Sequence, residues 1–406
     1  MEILFIVPYT PTLIRVRPYN LIKFLAQRGH QLTLATLWET ADEFRALAEW
    51  RSMGVDVLAA RLTRARSILN ALRTVPTRDP LQAAYCDSPQ LRQLIQSKVN
   101  SQSFDAIHVE HLRGARYGLQ LQLLTSNFKH PTPFIWDSVD CITYLFEQAA
   151  RYRSGLFSWL ITRLELGRTR KYEARMAAQF DRVLVTSEID RQALAALSNR
   201  STIDVLPNGV DLDYFTPRLD RREADTVVFS GKMSYHANAA AARYLIDLIM
   251  PLVWRQRPTA KLIIAGSRPA RSIRHAGAVD ARIEVTGSVE DMRVALRRAS
   301  VSVAPLLYGA GIQNKILEAM ACGVPVVASS RALAALPRVK RTSAVLVADE
   351  PRSFADAILR VLNDGELRAQ LSAAGRQVVE AEHHWDHIAG QLEVIYRAAI
   401  EQRLAK

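Results

Sequence analysis

Short, nearly unbroken apolar runs recur along this chain. They alternate with longer segments whose apolar positions return at helical spacing. EILFIV (2–7), QLTLATL (31–37), FDAIHVE (104–110), TPFIWD (132–137) and DRVLVTS (181–187) form a first series. TVVFSG (226–231), AKLIIAG (260–266), ARIEVTG (281–287), VSVAP (301–305), VPVVAS (324–329) and AVLVA (344–348) form a second. A strand without polar alternation is covered on both faces, as in parallel sheets with helices above and below. RPYNLIKFLAQRG (17–29) and HANAAAARYLIDLIMPLVWRQ (236–256) read as two of those helices. The alternation predicts βαβ units, and its repetition predicts an α/β architecture of two doubly wound, Rossmann-like domains. LPNGVDLDYFTPRLDRREAD (206–225), rich in turn formers and charge, is the predicted connection. Ligands of such sheets bind at the carboxyl ends of the strands, an edge expected to face an interdomain cleft.

Composition narrows the partners. A chain of 406 residues exceeds one ordinary core. A net charge of +13 favours anionic partners: phosphates, nucleic acid or an anionic membrane. No basic motif with interleaved aromatics supports nucleic-acid binding, which is not expected. Cys86, Cys141 and Cys322 are too few and scattered for a disulfide framework or a zinc cluster. MEILFIVPY lacks the basic leader and cleavage site of a signal peptide, and no run of about eighteen apolar residues occurs. A cytoplasmic location is therefore expected.

The segment GAGIQNKILEAMACGVPVVAS (309–329) carries the chemistry. Gly309 and Gly311 lie in the loop after VSVAP and permit backbone approaches that a side chain blocks. NKILEAMA then opens a helix, whose N-terminus offers unpaired N–H groups and partial positive charge to a phosphate. Lys315 adds a full charge at a position the helix dipole disfavours, which an anion would explain. Glu318, one turn on, can accept two hydroxyl hydrogen bonds. Phosphate followed by diol is the order of groups in a nucleotide's diphosphate and ribose. Gly323 is the expected C-terminal cap.

GIQNKILEAMACGVPVVAS resembles the donor-site signature of the retaining GT-B glycosyltransferases of family four, the large sucrose-synthase-like family. LPNGVDLDYF (206–215), VVFSGKMSYHANAAAARYL (227–245) and VTGSVEDMRVALRRASVSVAPL (285–306) resemble three further markers of that family, and their spacing agrees. GIQNK and GxMxYxxN are shared most closely with bacterial sugar transferases of the exopolysaccharide branch. The resemblance implies a GT-B fold, with a first domain over 1–205, a second over 206–384, and a C-terminal helix, 385–406, that returns to the first. It implies a retaining, metal-independent hexosyl transfer in cell-surface polysaccharide synthesis, with no cofactor. The donor would be a UDP- or GDP-linked sugar and the acceptor a glycan or a polyprenyl-diphosphate-linked glycan. Lys232 and Lys315 would neutralise the pyrophosphate, and Glu318 would hold the ribose. Backbone from Gly287 to Val289 would edge the base. Gly231, Gly309, Gly311, Ile312, Gln313 and Asn314 would line the phosphates and sugar. The histidine that the family places near the anomeric carbon would be His111, with His108 the alternative. No D-x-D of the kind that holds a cation in the other glycosyltransferase architecture is recognised. Asp137 and Asp140 in WDSVD would serve as a loop cap or as acceptor contacts.

Two features depart from the family. Its pair of glutamates has a first member that would fall at Ala310, so backbone of the G-x-G loop would take over the sugar contacts. The first βα loop, PYTPTLIRVRPYN (8–20), has no glycine, and Arg15 and Arg17 would bind an acceptor phosphate there or stand as solvated cations. The stretch 144–176 reads as one long, basic amphipathic helix with Trp159, suited to an anionic membrane surface or to core packing. Two other readings remain open: a sugar-nucleotide epimerase on the same fold, and a non-catalytic scaffold of an export complex.

Overall fold

A computed structural model describes residues 1–13, 15–125, 132–151, 156–198, 202–218, 222–309 and 311–405. The chain divides into two compact units, Met1–Pro207 with Trp385–Lys406, and Asn208–His384.

The first unit holds a parallel sheet in the order β3-β2-β1-β4-β5-β6-β7. Its strands are β1 (Glu2–Val7), β2 (Gln31–Trp38), β3 (Asp56–Arg61), β4 (Ala106–Glu110), β5 (Phe134–Val139), β6 (Arg182–Val185) and β7 (Ile203–Val205). Two of these, β3 and β7, lie outside the apolar runs of the sequence. Both are edge strands, largely half-exposed, so their patterns lack the unbroken apolar signature. One face of the sheet is covered by helix Trp385–Leu404, through Trp385, Ile388, Leu392 and Tyr396, together with helix Val16–Gln27.

The second unit holds a parallel sheet in the order β10-β9-β8-β11-β12-β13. These are β8 (Thr226–Ser230), β9 (Lys261–Ala265), β10 (Ile283–Gly287), β11 (Val301–Ala304), β12 (Val326–Ala328) and β13 (Val345–Val347). A single apolar core runs through both faces. The stretch expected as one helix over 236–256 is α-helical at His236–Tyr244 and Met250–Gln256, with a π-turn at Leu245–Ile249 between them. Pro251 supplies no N–H to the ladder, and the π-turn absorbs the mismatch.

In each sheet the strand order reverses at one place, between β1 and β4 and between β8 and β11. Loops leaving adjacent strands there diverge and open a crevice at the carboxyl edge. The first pair is followed by residues 8–15 and by His111, the second by 231–235 and 305–313.

Candidate active site

At the second switch point the sequence markers meet in pairs. Lys315 stands in the first turn of helix Asn314–Ala321 and is 8% exposed. Its ammonium donates to Asn238 Oδ1 at 2.6 Å and lies 5.0 Å from the centre of the Phe229 ring. Asn238 is oriented by its own amide, which donates to the Lys232 carbonyl at 3.1 Å. Lys315 and Asn238 thus join GIQNK to GxMxYxxN. The connecting segment joins them too, since Asn208 Nδ2 donates to Asn314 Oδ1 at 3.1 Å.

Glycine makes this packing possible. A Cβ on Gly231 (φ 144°) would lie 2.9 Å from Asn238 Nδ2 and 3.3 Å from Lys315 Cε. A Cβ on Gly266 would lie 1.8 Å from the Gly231 carbonyl oxygen.

Burial pushes the Lys315 pKa down to about 8, against the pull of Glu318. Burial likewise pushes Glu318 up to about 7, against Lys315. Glu318 is half-buried and its carboxylate accepts no hydrogen bond from the described residues. Gln313 at the N-cap offers no side-chain cap, so the first N–H groups of the helix are not satisfied that way. Gly309 (φ 148°) and Gly311 (φ 71°) shape the loop in front, and Gln313 Nε2 donates to the Gly311 carbonyl at 3.4 Å. Ala310 lies outside the described residues. Ile312 packs against the core, and Asn314 is half-buried. Lys232 is exposed in the loop after β8. Gly287 (φ 69°) ends β10 at a bulge, and Val289 follows half-buried. An unpaired carboxylate, a buried cation and an uncapped helix start therefore stand within one turn.

Sequence reasoning gave Asn238 and Asn208 no role, although both stand in quoted markers. Their spacing alone does not show that they orient other side chains. The connection also contains a D-x-D spacing, Asp211 and Asp213, which the sequence reading passed over. Asp211 Oδ1 accepts from the N–H groups of Asp213 and Tyr214, so it caps a turn. Among the described residues no group of three or more His, Cys, Asp or Glu could hold a metal ion.

At the first switch point His111 follows β4 with φ 62°. A residue with a Cβ held there is strained, and such strain collects at functional positions. The Arg113 N–H donates to His111 Nδ1 at 3.4 Å, which leaves the proton on Nε2. Burial, then the charges of Arg113 and Arg15, push its pKa down to about 3 despite Asp137. His111 is therefore a neutral imidazole. Beside it Glu110 is buried, accepts from the Tyr9 hydroxyl at 2.7 Å, and is pushed up to about 8 by burial and by Asp137. Arg15 lies 3.8 Å over the Tyr9 ring.

The reading of Arg17 and Asp137 as acceptor contacts needs correction. Arg17 sits inside helix Val16–Gln27, 4% exposed, and donates to Asp137 at 2.7 Å and to the Leu206 carbonyl at 3.0 Å. Asp137 is fully buried and also accepts from the Val139 N–H and faces His108 Nε2 at 3.4 Å. Burial favours its neutral form, but Arg17 and His108 outweigh that and hold the pKa below the ordinary range. His108 is buried and bonded to the Tyr396 hydroxyl at 2.8 Å. These four side chains form a structural network tying helix Trp385–Leu404 to the sheet.

The stretch 144–176, expected as one helix, forms two, Ile142–Arg151 and Leu156–Gln179, and three of its arginines are in ion pairs: Arg168 with Glu165, Arg170 with Glu147, and Arg175 with Asp79. Glu173 is buried and caps the start of the first helix by accepting from the Ile142 and Thr143 N–H groups. Arg153 and the side chain of Trp159 lie outside the described residues.

Comparison with known proteins now bears on this geometry. The family model described as Glycosyltransferase Family 4 matches residues 15–214, and that described as Glycosyl transferases group 1 matches residues 224–364. The chain belongs to the group 1, family 4 glycosyltransferases. The phosphatidyl-myo-inositol mannosyltransferase of Mycobacterium tuberculosis (strain H37Rv) is 33% identical over 229 residues, 51% of this chain and 59% of that protein. The D-inositol 3-phosphate glycosyltransferase of Mycolicibacterium smegmatis is 29% identical over 252 residues, 58% of this chain and 56% of that protein. The chain thus matches somewhat over half the length of these curated relatives. Sucrose-phosphate synthase from Thermosynechococcus elongatus shares the fold, with a TM-score of 0.71 at 18% identity over 99% of both chains. So does the Anabaena protein HepE in complex with UDP, with a TM-score of 0.67 at 13% identity over 98% of this chain and 100% of that one. This family-four chain therefore has the GT-B pair of Rossmann-like domains. No helix of its described residues is long and apolar enough to cross a membrane.

Proposed function

We propose that this chain transfers a hexosyl group from a nucleoside-diphosphate sugar, UDP- or GDP-linked, to an acceptor that carries phosphate or lipid phosphate. The observation that carries the reading is the Glu318 carboxylate, unpaired and one turn beyond the buried Lys315. Lys315, the exposed Lys232 and the start of helix Asn314–Ala321 receive the diphosphate, and Glu318 receives the ribose hydroxyls. In the transfer, the acceptor oxygen bonds to the anomeric carbon as the bond from that carbon to the diphosphate breaks. The acceptor's proton leaves on a phosphate oxygen. Positive charge held at the diphosphate stabilises the leaving group, which is where charge develops. That role needs no metal, and the transfer is proposed to retain configuration. Neutral His111, with a proton on Nε2, is suited to hydrogen-bond a sugar hydroxyl rather than to supply charge.

The relatives' names support an anionic, inositol-containing or lipid-borne acceptor as much as a growing exopolysaccharide. The decisive assay offers UDP- and GDP-sugars with phosphatidylinositol, inositol phosphate or polyprenyl-diphosphate glycans. Release of nucleoside diphosphate that requires an acceptor, persists in chelator and disappears in Glu318→Ala supports the proposal. A donor left intact with every acceptor contradicts it.

A further inference from the structure

Two asparagines from different sequence markers meet at the start of helix Asn314–Ala321. Asn208, in LPNGVD, is 7% exposed. Its backbone is anchored by residues 383–384. His383 Nδ1 donates to the Asn208 carbonyl at 3.0 Å, the Val210 N–H donates to the His383 carbonyl at 2.6 Å, and Val210 bridges to His384. From that anchored backbone the Asn208 amide donates to Asn314 Oδ1 at 3.1 Å. Asn314, in GIQNK, is half-buried and is the first residue of the helix.

An asparagine in a first helical turn competes for the N–H groups of its own helix. Its short side chain carries a carbonyl oxygen within reach of nearby backbone donors, the habit that makes asparagine a capping residue. Here Asn208 draws that oxygen away. Gln313, at the N-cap, turns its own amide to the Gly311 carbonyl and caps nothing. The Ile316 N–H donates to the Gln313 carbonyl at 2.9 Å. Among the described residues no side chain accepts from the N–H groups of Asn314 and Lys315, which stand at the end of the helix that attracts anions. Because an amide is planar, holding Oδ1 at Asn208 turns the Asn314 NH2 group away from Asn208. It becomes a further donor beside the two backbone N–H groups.

We propose that Asn208 is a positioning residue for the donor diphosphate: by holding the Asn314 side-chain carbonyl, it keeps the start of helix Asn314–Ala321 open to the phosphates. This role rests on the donor-site reading above, and one set of titrations separates the two. The nucleoside diphosphate bound more tightly, UDP or GDP, is titrated beside its monophosphate. The proteins are the parent, Asn208→Ala, Asn314→Ala and the double variant. The parent should prefer the diphosphate. Asn208→Ala should lose about three- to tenfold in diphosphate affinity, the scale of one neutral hydrogen bond, and little in monophosphate affinity. With Asn314→Ala already present no carbonyl is left to compete, so adding Asn208→Ala should change diphosphate affinity by less than about twofold. An Asn208 that only braced the fold would lower melting temperature and affinity alike in both backgrounds. Asn208→Ser, smaller and polar, repeats the cycle if the alanine variant does not fold. Asn314→Asp keeps an acceptor for Asn208 and suits a helix N-terminus, so it should fold as the parent does. Its charge would face the phosphates and should lose about tenfold or more in diphosphate affinity. A parent without preference for the diphosphate overturns the donor reading and this role with it. A parent with that preference overturns this role alone in any of three cases: Asn208→Ala binds the diphosphate as the parent does, Asn208→Ala loses as much in the Asn314→Ala background, or Asn314→Asp binds as the parent does.

Discussion

The Lys315 ammonium rests 2.6 Å from the side-chain oxygen of Asn238, 77 residues away in sequence. That oxygen orients the cation with a dipole and leaves its charge available. A carboxylate at 238 would keep the contact and cancel the charge. Asn238→Asp is therefore expected to weaken UDP or GDP binding more than Asn238→Ala does. A charged hydrogen bond is worth about 1.5–3 kcal/mol, so the loss should reach one to two decades. Titration calorimetry near neutral pH decides it, and an aspartate variant that binds like the parent removes Lys315 from the phosphate site.

Nucleotide affinity should be bell-shaped in pH. Glu318, at about 7, must lose its proton to accept ribose hydroxyls, and Lys315, at about 8, must keep its own to attract phosphate. Affinity should then fall below about pH 7 and above about pH 8. Glu318→Gln should flatten the acid limb only, at a lower overall affinity. A profile that stays level from pH 5.5 to pH 9 would speak against both assignments.

The same carboxylate makes the empty protein less stable as pH rises. Its folded pKa of about 7 lies above the ordinary 4.5, so between those values the folded state binds a proton that the unfolded state lacks. The stability gained is complete below about pH 4.5 and lost as pH rises through about 7. Without nucleotide, Tm of the parent relative to Glu318→Gln should therefore fall from pH 5 to pH 8. Calorimetry showing the parent gaining over that range would reverse the assigned burial.

Gly266→Ala should damage the fold itself. Its new methyl would sit 1.8 Å from the Gly231 carbonyl oxygen at a φ of 143°. Gly29→Ala is the control, with a φ of 83° and nothing within 4 Å. The control should cost about 1–2 kcal/mol for left-handed backbone alone. Gly266→Ala should cost clearly more, beyond the usual centre near 1 kcal/mol for point changes. Equal denaturant midpoints for the two would mean that the backbone approach is not rigid.

The doubly wound fold was legible because all eleven apolar runs lie in strands, nine of them buried along most of their length, from EILFIV onward. The edge strands β3 and β7 were not, since a half-exposed strand with Asp56 and Arg61 at its ends has no such signature. In the second unit Lys315, Glu318 and the glycines could be picked out because a cation in a first helical turn and a G-x-G loop each break a local rule. Asn238 and Asn208 obey local rules, and only the fold shows what they hold. Arg17 and Asp137 were misjudged for a similar reason: their partners are 120 residues apart, and a buried ion pair looks in sequence like two surface charges.

The central claim is that Lys315 and Glu318 hold the diphosphate and ribose of the donor. Its most direct test is a competition titration of UDP and GDP against their monophosphates, with the parent, Lys315→Ala and Glu318→Ala. The account predicts that the parent prefers a diphosphate to its monophosphate. Lys315→Ala should erase most of that preference, whereas Glu318→Ala should weaken both ligands by about one to two decades and leave the preference in place. Diphosphate binding unchanged in both variants, with the proteins folded, would contradict it.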